Sequence, residues 1–397
     1  MRLNVGLFND SFPPTLNGVS TAVLCYARII QDCLGSSAVV TPSYPHVVDD
    51  YPFDVVRYPS IRTTGRIGFR AGNPLSPIQI RALRAKQFDI MHVHSPFSSA
   101  LLAKQLLTRR QRVPIVMTYH TKYDVDIDTR FSNPQVRKVS KRFILHNLSY
   151  ANEMWAVSRG AGESLRALGF KGGYRVMRNG TDFPHEPAPR EAVDEITRMY
   201  NLREDVPVLL FIGRMQWYKN IKLMVDSLAL LKKAGQPFHM LFVGDGYDRP
   251  SIEQYVHLTD MQDRTTFTGT VYDRERLRAF YTRADLFLFP STYDTSGLVV
   301  MEAASCDCPS LLVRGACAAE EVEGDVTGLL CDENTESCAA TIAAALQNMD
   351  RLREIGKRAG ERVYVSWESA VHAAYKRYEE IVADWPHDLP YRHMTQG

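Results

Sequence analysis

Short apolar runs rich in β-branched residues alternate along this chain with amphipathic stretches of helical period. The runs form two series, at 3–8, 38–43, 89–94, 114–120 and 153–158, and then at 207–213, 239–246, 265–271, 285–291 and 308–313. Helical patterns lie between them, among them 19–34, 221–234, 274–284 and 341–359. Strands that alternate with helices build βαβ units, and continuous apolar strands are typical of buried parallel sheets. The sequence therefore predicts an α/β fold with doubly wound parallel sheets.

The stretch 178–195 separates the two series, because it holds three prolines and no apolar periodicity. A chain of 397 residues is also longer than one hydrophobic core usually supports. We therefore predict two domains, 1–182 and 183–366. The last helical pattern, 367–385, has no strand after it and is expected to cross back onto the first domain.

Composition indicates a soluble globular protein, with 45% apolar and 23% charged residues. No apolar run approaches the roughly 18 residues of a membrane-spanning helix, and the N-terminal apolar stretch is too short for a secretory signal. A cytoplasmic protein is expected. The seven cysteines include one close pair, Cys306 and Cys308, whose spacing fits neither a zinc knuckle nor a redox site. We expect reduced, mostly structural cysteines.

Charge is distributed unevenly between the two predicted domains. Residues 1–182 hold 24 Lys or Arg and 12 Asp or Glu, a net +12, which leaves −10 for the remainder of a chain with net charge +2. Between Val55 and Tyr123 there are twelve basic residues and one acid, Asp89. Such a field attracts phosphates, nucleic acid or an acidic membrane surface. A solvated basic face balanced by the acidic half is the alternative.

Candidate ligand contacts lie in the loops that follow strands, where parallel sheets bind ligands and helix N-termini favour anions. The first such loop, 9–21, lacks the GxGxxG dinucleotide fingerprint and turns at Asn17 and Gly18. Gly18 would let a ligand approach the backbone closely, although simple turn chemistry explains it equally well. In the second series, Arg214 and Lys219 follow Gly213 and make a plausible pyrophosphate clamp; a solvated basic loop is the alternative.

Two further loops of the second series follow strands that end in glycines. They contain Gly244 and Gly246 in one case and Thr270 and Val271 in the other. These loops would form the walls of a nucleotide base pocket, or they are ordinary turns.

The stretch PSTYDTSGLVVMEAAS joins a predicted strand to a predicted helix and carries two acids, Asp294 and Glu302. The backbone N–H groups of Ser296, Gly297 and Leu298 would point out of the helix start toward an anion or sugar hydroxyls. A carboxylate such as Glu302 can accept two hydrogen bonds from the vicinal diol of a ribose. On its own, the stretch is equally compatible with a surface turn.

Histidines mark the strand ends of the first domain. His92 and His94 lie two residues apart on one strand face, and His120 ends the next strand, before Tyr123 and Asp124. The spacing matches no known metal-ligand motif, so we predict no metal site. A histidine at a strand end is a better candidate for a polar contact to substrate.

The ordered series GRMQWYKN, VGDGYDRP, FTGTV and PSTYDTSGLVVMEAAS resembles the donor half of the retaining GT-B glycosyltransferases of family four. The resemblance extends over nearly the whole chain, from NVGLFNDSFPPTLNGVS to the closing helix. It implies two Rossmann-like domains that face a cleft, with the last helix crossing back to the first. It also implies a nucleotide-activated sugar bound mainly by the second domain, acceptor binding by the first, and no metal or other cofactor.

Residue roles follow from the resemblance by position. Arg214 and Lys219 would hold the diphosphate, with Asp294 at the donor sugar and Glu302 on the ribose. The other donor-side positions are Gly213, Gly244, Gly246, Thr270, Val271, Ser296, Gly297 and Leu298. In the first domain the resemblance implies that Gly18 approaches the phosphates and that His120 contacts the sugar near the reacting carbon, and the acceptor-side candidates are Asn17, His94, Tyr123 and Asp124.

The donor loop departs from the family pattern at three positions. Asp294 replaces the first glutamate of the usual pair, and Thr295 and Ser296 replace the usual Gly-Phe. The carboxylate is therefore retained but shortened by one methylene, about 1.5 Å. This departure concerns donor choice more than activity.

Within the family, FNDSFPPTLNGVSTAV, HVHSPFSSALLAKQL and VPIVMTYHTKYD are most similar to enzymes that glucosylate diacylglycerol. The resemblance implies transfer of a hexose, with UDP-glucose as donor, to a lipid hydroxyl. The basic first domain would hold the protein on the anionic inner face of the cell membrane. Two alternatives stay open: the same donor chemistry on a soluble acceptor, or a catalytically silent protein that binds nucleotide sugars. No recognition motif supports nucleic-acid binding.

Overall fold

A computed structural model describes residues 1–15, 17–62, 70–107 and 112–386 of the chain. The chain divides into two compact units, Met1–Asn179 together with Trp367–Gly397, and Gly180–Ser366. The division between the units thus lies three residues before the predicted one. Three of the basic residues counted above, Arg66, Arg109 and Arg110, lie outside the described residues.

The first unit is built on a parallel sheet with strand order β3-β2-β1-β6-β7-β8-β9. Its strands are β1 (Asn4–Phe8), β2 (Ser36–Pro42), β3 (Asp54–Tyr58), β6 (Ile90–Val93), β7 (Ile115–Tyr119), β8 (Glu153–Ala156) and β9 (Arg175–Val176), and an antiparallel pair comprises β4 (Ser60–Arg62) and β5 (Arg70–Gly72). The five apolar runs of the first series all form strands. The sequence analysis missed β3 and β9, which lie at the two edges of the sheet, because they are partly exposed and lack a continuous apolar run.

The helices of the first unit cover its sheet. They are α1 (Gly18–Ile29), α2 (Pro77–Ala85), α3 (Ser98–Leu106), α4 (Tyr123–Arg130), α5 (Pro134–Leu148) and α6 (Arg159–Leu168). Helix α1 continues into a π-helical turn, Ile30–Leu34, so the predicted helical pattern at 19–34 is confirmed.

The second unit has its own parallel sheet, with strand order β12-β11-β10-β13-β14-β15. The strands are β10 (Val208–Ile212), β11 (His239–Val243), β12 (Thr265–Gly269), β13 (Leu286–Phe289), β14 (Ser310–Val313) and β15 (Leu329–Cys331). The helices are α7 (Arg190–Met199), α8 (Ile221–Lys233), α9 (Arg249–Leu258), α10 (Arg274–Arg283), α11 (Leu298–Ser305), α12 (Thr335–Leu346) and α13 (Met349–Arg362).

One helix predicted in the second unit is wrong, because the stretch forms two helices instead of one. The pattern at 341–359 spans parts of α12 and α13, because Asn348 interrupts it. The Asn348 side chain caps the N-terminus of α13 by accepting a hydrogen bond from the backbone N–H of Arg351 at 3.0 Å. The predicted linker at 178–195 likewise includes the start of α7.

The final helix, α14 (Trp367–Ala383), returns to the first unit as predicted. Its Tyr378 is fully buried and stacks on Trp155 of β8 with ring centroids 5.4 Å apart. The Tyr378 hydroxyl also lies 2.5 Å from Nδ1 of His92 on β6. Aromatic packing and a buried hydrogen bond therefore anchor the helix on the first sheet.

The strand order of each sheet reverses once near its middle. In the first sheet the chain moves outward from β1 to β3 and then crosses to β6, and in the second it moves from β10 to β12 and then crosses to β13. The carboxyl ends of β1 and β6, and of β10 and β13, therefore flank topological switch points. Open α/β sheets bind ligands at such points.

Candidate functional site

Lys219, which is buried, and Asp294, which is half-buried, form an ion pair at the switch point of the second unit. Lys219 ends the short 3₁₀ turn after β10, and Asp294 lies in the loop after β13. The Lys219 Nζ atom lies 2.5 Å from Oδ1 and 2.6 Å from Oδ2 of Asp294, and the Ser291 hydroxyl donates to Oδ2 at 2.5 Å. Because Lys219 is only 7% exposed, the pair fixes a cation at the place where this fold binds ligands.

Asn220 explains why Lys219 is held there. It adopts the left-handed conformation, with φ of 58°, which asparagine tolerates better than most residues. Its Nδ2 atom donates to the carbonyl oxygen of Pro290 at 3.0 Å and to Oε1 of Glu333 at 2.6 Å. The loops after β10, β13 and β15 are thereby joined.

The clamp predicted at Arg214 and Lys219 has one buried and one exposed cation. Burial lowers the pKa of Lys219, the Asp294 carboxylate opposes that effect, and the charge of Arg214 adds to the lowering. Arg214 itself is exposed and forms no hydrogen bond or ion pair with the residues that the structure describes. The three charges sum to +1, so the site is suited to an anion.

Glu302 lies on the second turn of α11 with a carboxylate that is only 13% exposed. Oε1 accepts a hydrogen bond from Arg274 Nη2 at 2.9 Å, and Oε2 accepts one from the Tyr281 hydroxyl at 3.0 Å. Burial raises the pKa of Glu302, while Arg274 and Tyr281 oppose the rise. The structure thus provides a buried carboxylate with partners that favour its charged form.

Neither partner of Glu302 was predicted from the sequence. Arg274 and Tyr281 are seven residues apart on a helix that was predicted at 274–284, so they lie on one face of α10. That spacing was a usable signal. Which carboxylate the face meets depends on how α10 packs against α11, and the sequence does not contain that information locally.

The N-terminus of α11 has the backbone that the sequence analysis predicted. Gly297 adopts φ of 57°, and an added Cβ would lie 2.8 Å from Cβ of Ala318, so both strain and space require glycine. The helix begins at Leu298, directly after Ser296 and Gly297. The first N–H groups of a helix have no intrahelical acceptor and are available to a ligand.

Backbone packing requires glycine at Gly244 and Gly246, whether or not a ligand binds. An added Cβ at Gly244 would lie 2.1 Å from the carbonyl oxygen of Gly213, and one at Gly246 would lie 2.4 Å from that of Met215. The loops after β10 and β11 therefore pack backbone against backbone. The backbone N–H of Gly213 also donates to the carbonyl oxygen of Val243 at 3.0 Å.

The loop after β12 contains the remaining donor-side candidates. Thr270 is exposed, whereas Val271 is half-buried and packs against the hydrophobic core. The carbonyl oxygen of Gly269 accepts a hydrogen bond from Gly244 at 2.8 Å. Three adjacent strand-end loops thus form one connected platform beside the ion pair.

In the first unit, His94 and His120 contact each other at the ends of β6 and β7. His94 Nδ1 lies 3.0 Å from His120 Nε2, and the His94 ring lies 3.9 Å from that of His92. Burial lowers the pKa of His120 to about 3 and keeps the pKa of His92 and His94 well below 6.5. These histidines are therefore neutral at physiological pH.

The other first-unit candidates have structural partners. Asn17 caps α1, whose first residue is Gly18, by accepting two hydrogen bonds from backbone N–H groups of the first turn. Tyr123 and Asp124 begin α4, and Asp124 accepts a hydrogen bond from the Ser164 hydroxyl. These contacts fix the loop after β1, at the switch point of the first sheet, and the start of α4 after β7. A role toward an acceptor remains a prediction.

The part of the chain that the structure describes contains little that indicates another type of site. Within residues 1–15, 17–62, 70–107 and 112–386, no three His, Cys, Asp or Glu side chains are grouped so as to hold a metal ion. None of the seven cysteines, all of which lie within these ranges, forms a disulfide. No helix in these ranges is long and apolar enough to cross a membrane.

Comparison with known protein families assigns the two units. Residues 16–183 match the family described as Glycosyltransferase Family 4, and residues 193–362 match Glycosyl transferases group 1. The chain belongs to the family 4 glycosyltransferases of the GT-B fold. The fold and family predicted from the sequence are confirmed. The chain is accordingly a glycosyltransferase.

Individual relatives of this glycosyltransferase are distant but span most of it. Alpha-monoglucosyldiacylglycerol synthase of Acholeplasma laidlawii is 22% identical over 345 residues, which cover 84% of this chain and 86% of that protein. The enzyme of the same name from Streptococcus pneumoniae is 23% identical over 318 residues, or 77% of this chain and 70% of that protein. The crystal structure of Anabaena HepE in complex with UDP-glucose matches 97% of this chain and 100% of its own, with a TM-score of 0.73 and 16% identity.

Proposed function

We propose that this glycosyltransferase moves glucose from UDP-glucose to a lipid hydroxyl, such as that of diacylglycerol, with retention of configuration and without a metal. The ion pair of Lys219 and Asp294 at the second switch point carries the donor half of the proposal. The similarity to two alpha-monoglucosyldiacylglycerol synthases supports the sugar and the acceptor.

Departure of a nucleoside diphosphate needs positive charge near its phosphates. Lys219 supplies a buried cation, and Arg214 supplies an exposed one. Preorganised cations in a partly dehydrated site stabilise developing charge far better than cations in water. An incoming diphosphate would replace the Asp294 carboxylate as the partner of Lys219, or the two anions would both pair with it.

Retention is proposed to proceed by attack on the face from which the diphosphate leaves. The bond from the anomeric carbon to the phosphate oxygen breaks, a bond to the acceptor oxygen forms, and the leaving phosphate oxygen takes the acceptor's proton. Both carboxylates of the site have cationic partners, Asp294 with Lys219 and Glu302 with Arg274. Those partners favour binding roles for the two acids over that of a covalent nucleophile.

A lipid acceptor is supported by the outer face of α5. Val136, Val139 and Phe143 follow a helical spacing and are 40%, 67% and 44% exposed. Exposed Lys138 and Arg142 flank this apolar stripe. A helix with exposed apolar residues between cations is suited to an anionic membrane surface, where each cation contributes about 1 kcal/mol. We therefore propose a peripheral location on the cytoplasmic face of the cell membrane.

The proposal is tested in two steps. A panel of nucleotide sugars is first screened by thermal shift, and UDP-glucose is expected to raise the melting temperature most. Sedimentation with anionic vesicles at low salt then separates the acceptor classes, because a lipid acceptor predicts binding and a soluble acceptor does not require it. Slow hydrolysis of UDP-glucose without acceptor would exclude a catalytically silent protein.

A further inference from the structure

Glu302 is held from two directions by one face of α10. Arg274 Nη2 donates to Oε1 at 2.9 Å, and the Tyr281 hydroxyl donates to Oε2 at 3.0 Å. An ionised carboxylate can accept about four hydrogen bonds, two on each oxygen. Each oxygen of Glu302 therefore keeps acceptor capacity that matches one hydroxyl of a cis-diol.

Arg274 is itself fixed on its other side. Its Nε atom donates to Asp182 Oδ2 at 3.1 Å, and its guanidinium lies 4.1 Å from the centre of the Phe183 ring. The guanidinium fork is thus oriented by an acid, an aromatic ring and Glu302 together. A planar fork held in this way fixes the direction of its hydrogen bonds.

The same contacts decide the charge of Glu302. Burial favours the protonated carboxyl, whereas Arg274 and Tyr281 favour the carboxylate. The other titratable groups that face it are Asp182, beside Arg274, and Cys306, which directly follows α11. A protonated Glu302 would lose acceptor capacity toward a diol.

We propose that Arg274 and Tyr281 are positioning residues that aim the Glu302 carboxylate at the two hydroxyls of the nucleotide ribose. This inference rests on the proposed function and on the ribose contact that the family resemblance implies for Glu302. Neither residue needs to touch the donor. Their effect on binding is expected to depend on the ribose hydroxyls and on Glu302.

The test measures nucleotide affinity by calorimetry on the full chain, with UDP or GDP, whichever binds more tightly, and its 2′,3′-dideoxy analogue. Arg274→Gln and Tyr281→Phe are compared with wild type, and Arg276→Gln on the same helix is the matched control. We expect Arg274→Gln to weaken binding of the ordinary nucleotide about tenfold or more, as is typical for loss of a hydrogen bond to a charged group. Binding of the dideoxy analogue should weaken less than about twofold. Tyr281→Phe, which keeps the buried ring, is expected to have the same pattern with a smaller loss.

A pH series adds a measurement whose result would not change if Arg274 had a merely structural role. Without Arg274 the pKa of Glu302 rises further, so the nucleotide affinity of Arg274→Gln should fall more steeply than that of wild type as the pH is lowered. Equal losses for both nucleotides, or a pH profile identical to that of wild type, would overturn the positioning role.

Glu302→Gln distinguishes a failure of the ribose assignment from a failure of the positioning role. If it weakens the ordinary nucleotide selectively while Arg274→Gln leaves binding unchanged, the ribose assignment stands and the positioning role is wrong. If Glu302→Gln affects both nucleotides equally, the ribose assignment fails and this inference fails with it.

Discussion

Both oxygens of the Asp294 carboxylate lie within 2.6 Å of Lys219 Nζ, where the strand order of the second sheet reverses. The family pattern has a glutamate at this position, and the shorter aspartate still reaches the lysine with both oxygens. A carboxylate that engages a buried cation with both oxygens holds that cation in place, and in the proposed function an incoming phosphate competes for it. The pair is therefore the structural basis of the predictions on donor binding.

Replacement of Lys219 by alanine should cripple transfer and leave the fold intact. Loss of a preorganised charge that faces a developing negative charge typically costs about 100-fold to 1,000-fold in rate. The matched control is Lys222→Ala, whose exposed side chain pairs with Asp226 at 2.7 Å. Steady-state kinetics and melting temperature are measured together, and near-normal turnover of Lys219→Ala would refute the clamp.

Asp294→Glu should change donor choice more than stability. The added methylene extends the carboxylate by about 1.5 Å, which shifts it relative to Lys219 and to the sugar but keeps its charge. Competition between nucleotide sugars should reveal an altered preference, with the melting temperature within a few degrees of wild type. A large loss of thermal stability would instead show that Asp294 has a structural role.

Val139→Glu should weaken binding to anionic vesicles. The substitution places a negative charge in the centre of the apolar stripe on α5, where Val139 is 67% exposed. Val48→Glu is the matched control, since Val48 is also exposed and lies in the same unit. We expect at least a tenfold weaker vesicle affinity for Val139→Glu, with nucleotide affinity unchanged. Identical sedimentation of the two variants would contradict the membrane surface.

The buried histidines predict acid sensitivity of the first unit. Burial holds the pKa of His120 at about 3 and that of His92 and His94 well below 6.5, so the folded state keeps them neutral while the unfolded chain takes up protons near pH 6.5. Their stabilising contribution is present above pH 6.5 and is lost as the pH falls, by up to about 1.4 kcal/mol per pH unit for each histidine.

His94→Phe checks this prediction. In a Trp217→Phe background, the remaining tryptophans all lie in the first unit and report its unfolding by urea. As the pH is lowered from 6.5 to 5, the free energy of unfolding of His94→Phe should fall less steeply than that of the parent. The difference in slope should correspond to about one proton taken up on unfolding. An unchanged slope would mean that His94 is already protonated in the folded protein.

Local sequence patterns predict the strands well, because a strand buried on both faces needs a continuous apolar run. The run at 207–213 became β10 (Val208–Ile212), whose five residues are all buried. Edge strands such as β3 lack that run and were missed. The break between α12 and α13 could have been predicted, since Asn348 is a typical helix cap.

The positions of the candidate site residues follow from strand ends, but their partners do not. Lys219 and Asp294 meet only because β10 and β13 are neighbours in the sheet, and His94 meets His120 because β6 lies beside β7. Likewise, Arg274 reaches Glu302 through the packing of α10 on α11. Such partners depend on tertiary structure that no local pattern specifies.

Product analysis tests the proposed activity most directly. The full chain is incubated with UDP-glucose and vesicles of anionic phospholipid that contain diacylglycerol, and the extracted lipids are examined by mass spectrometry and NMR. We predict a monoglucosyl diacylglycerol whose anomeric proton signal is that of an α-glucoside. The Lys219→Ala variant should not form this product at a comparable rate. Hydrolysis to free glucose with no glycolipid would contradict a lipid glucosyltransferase.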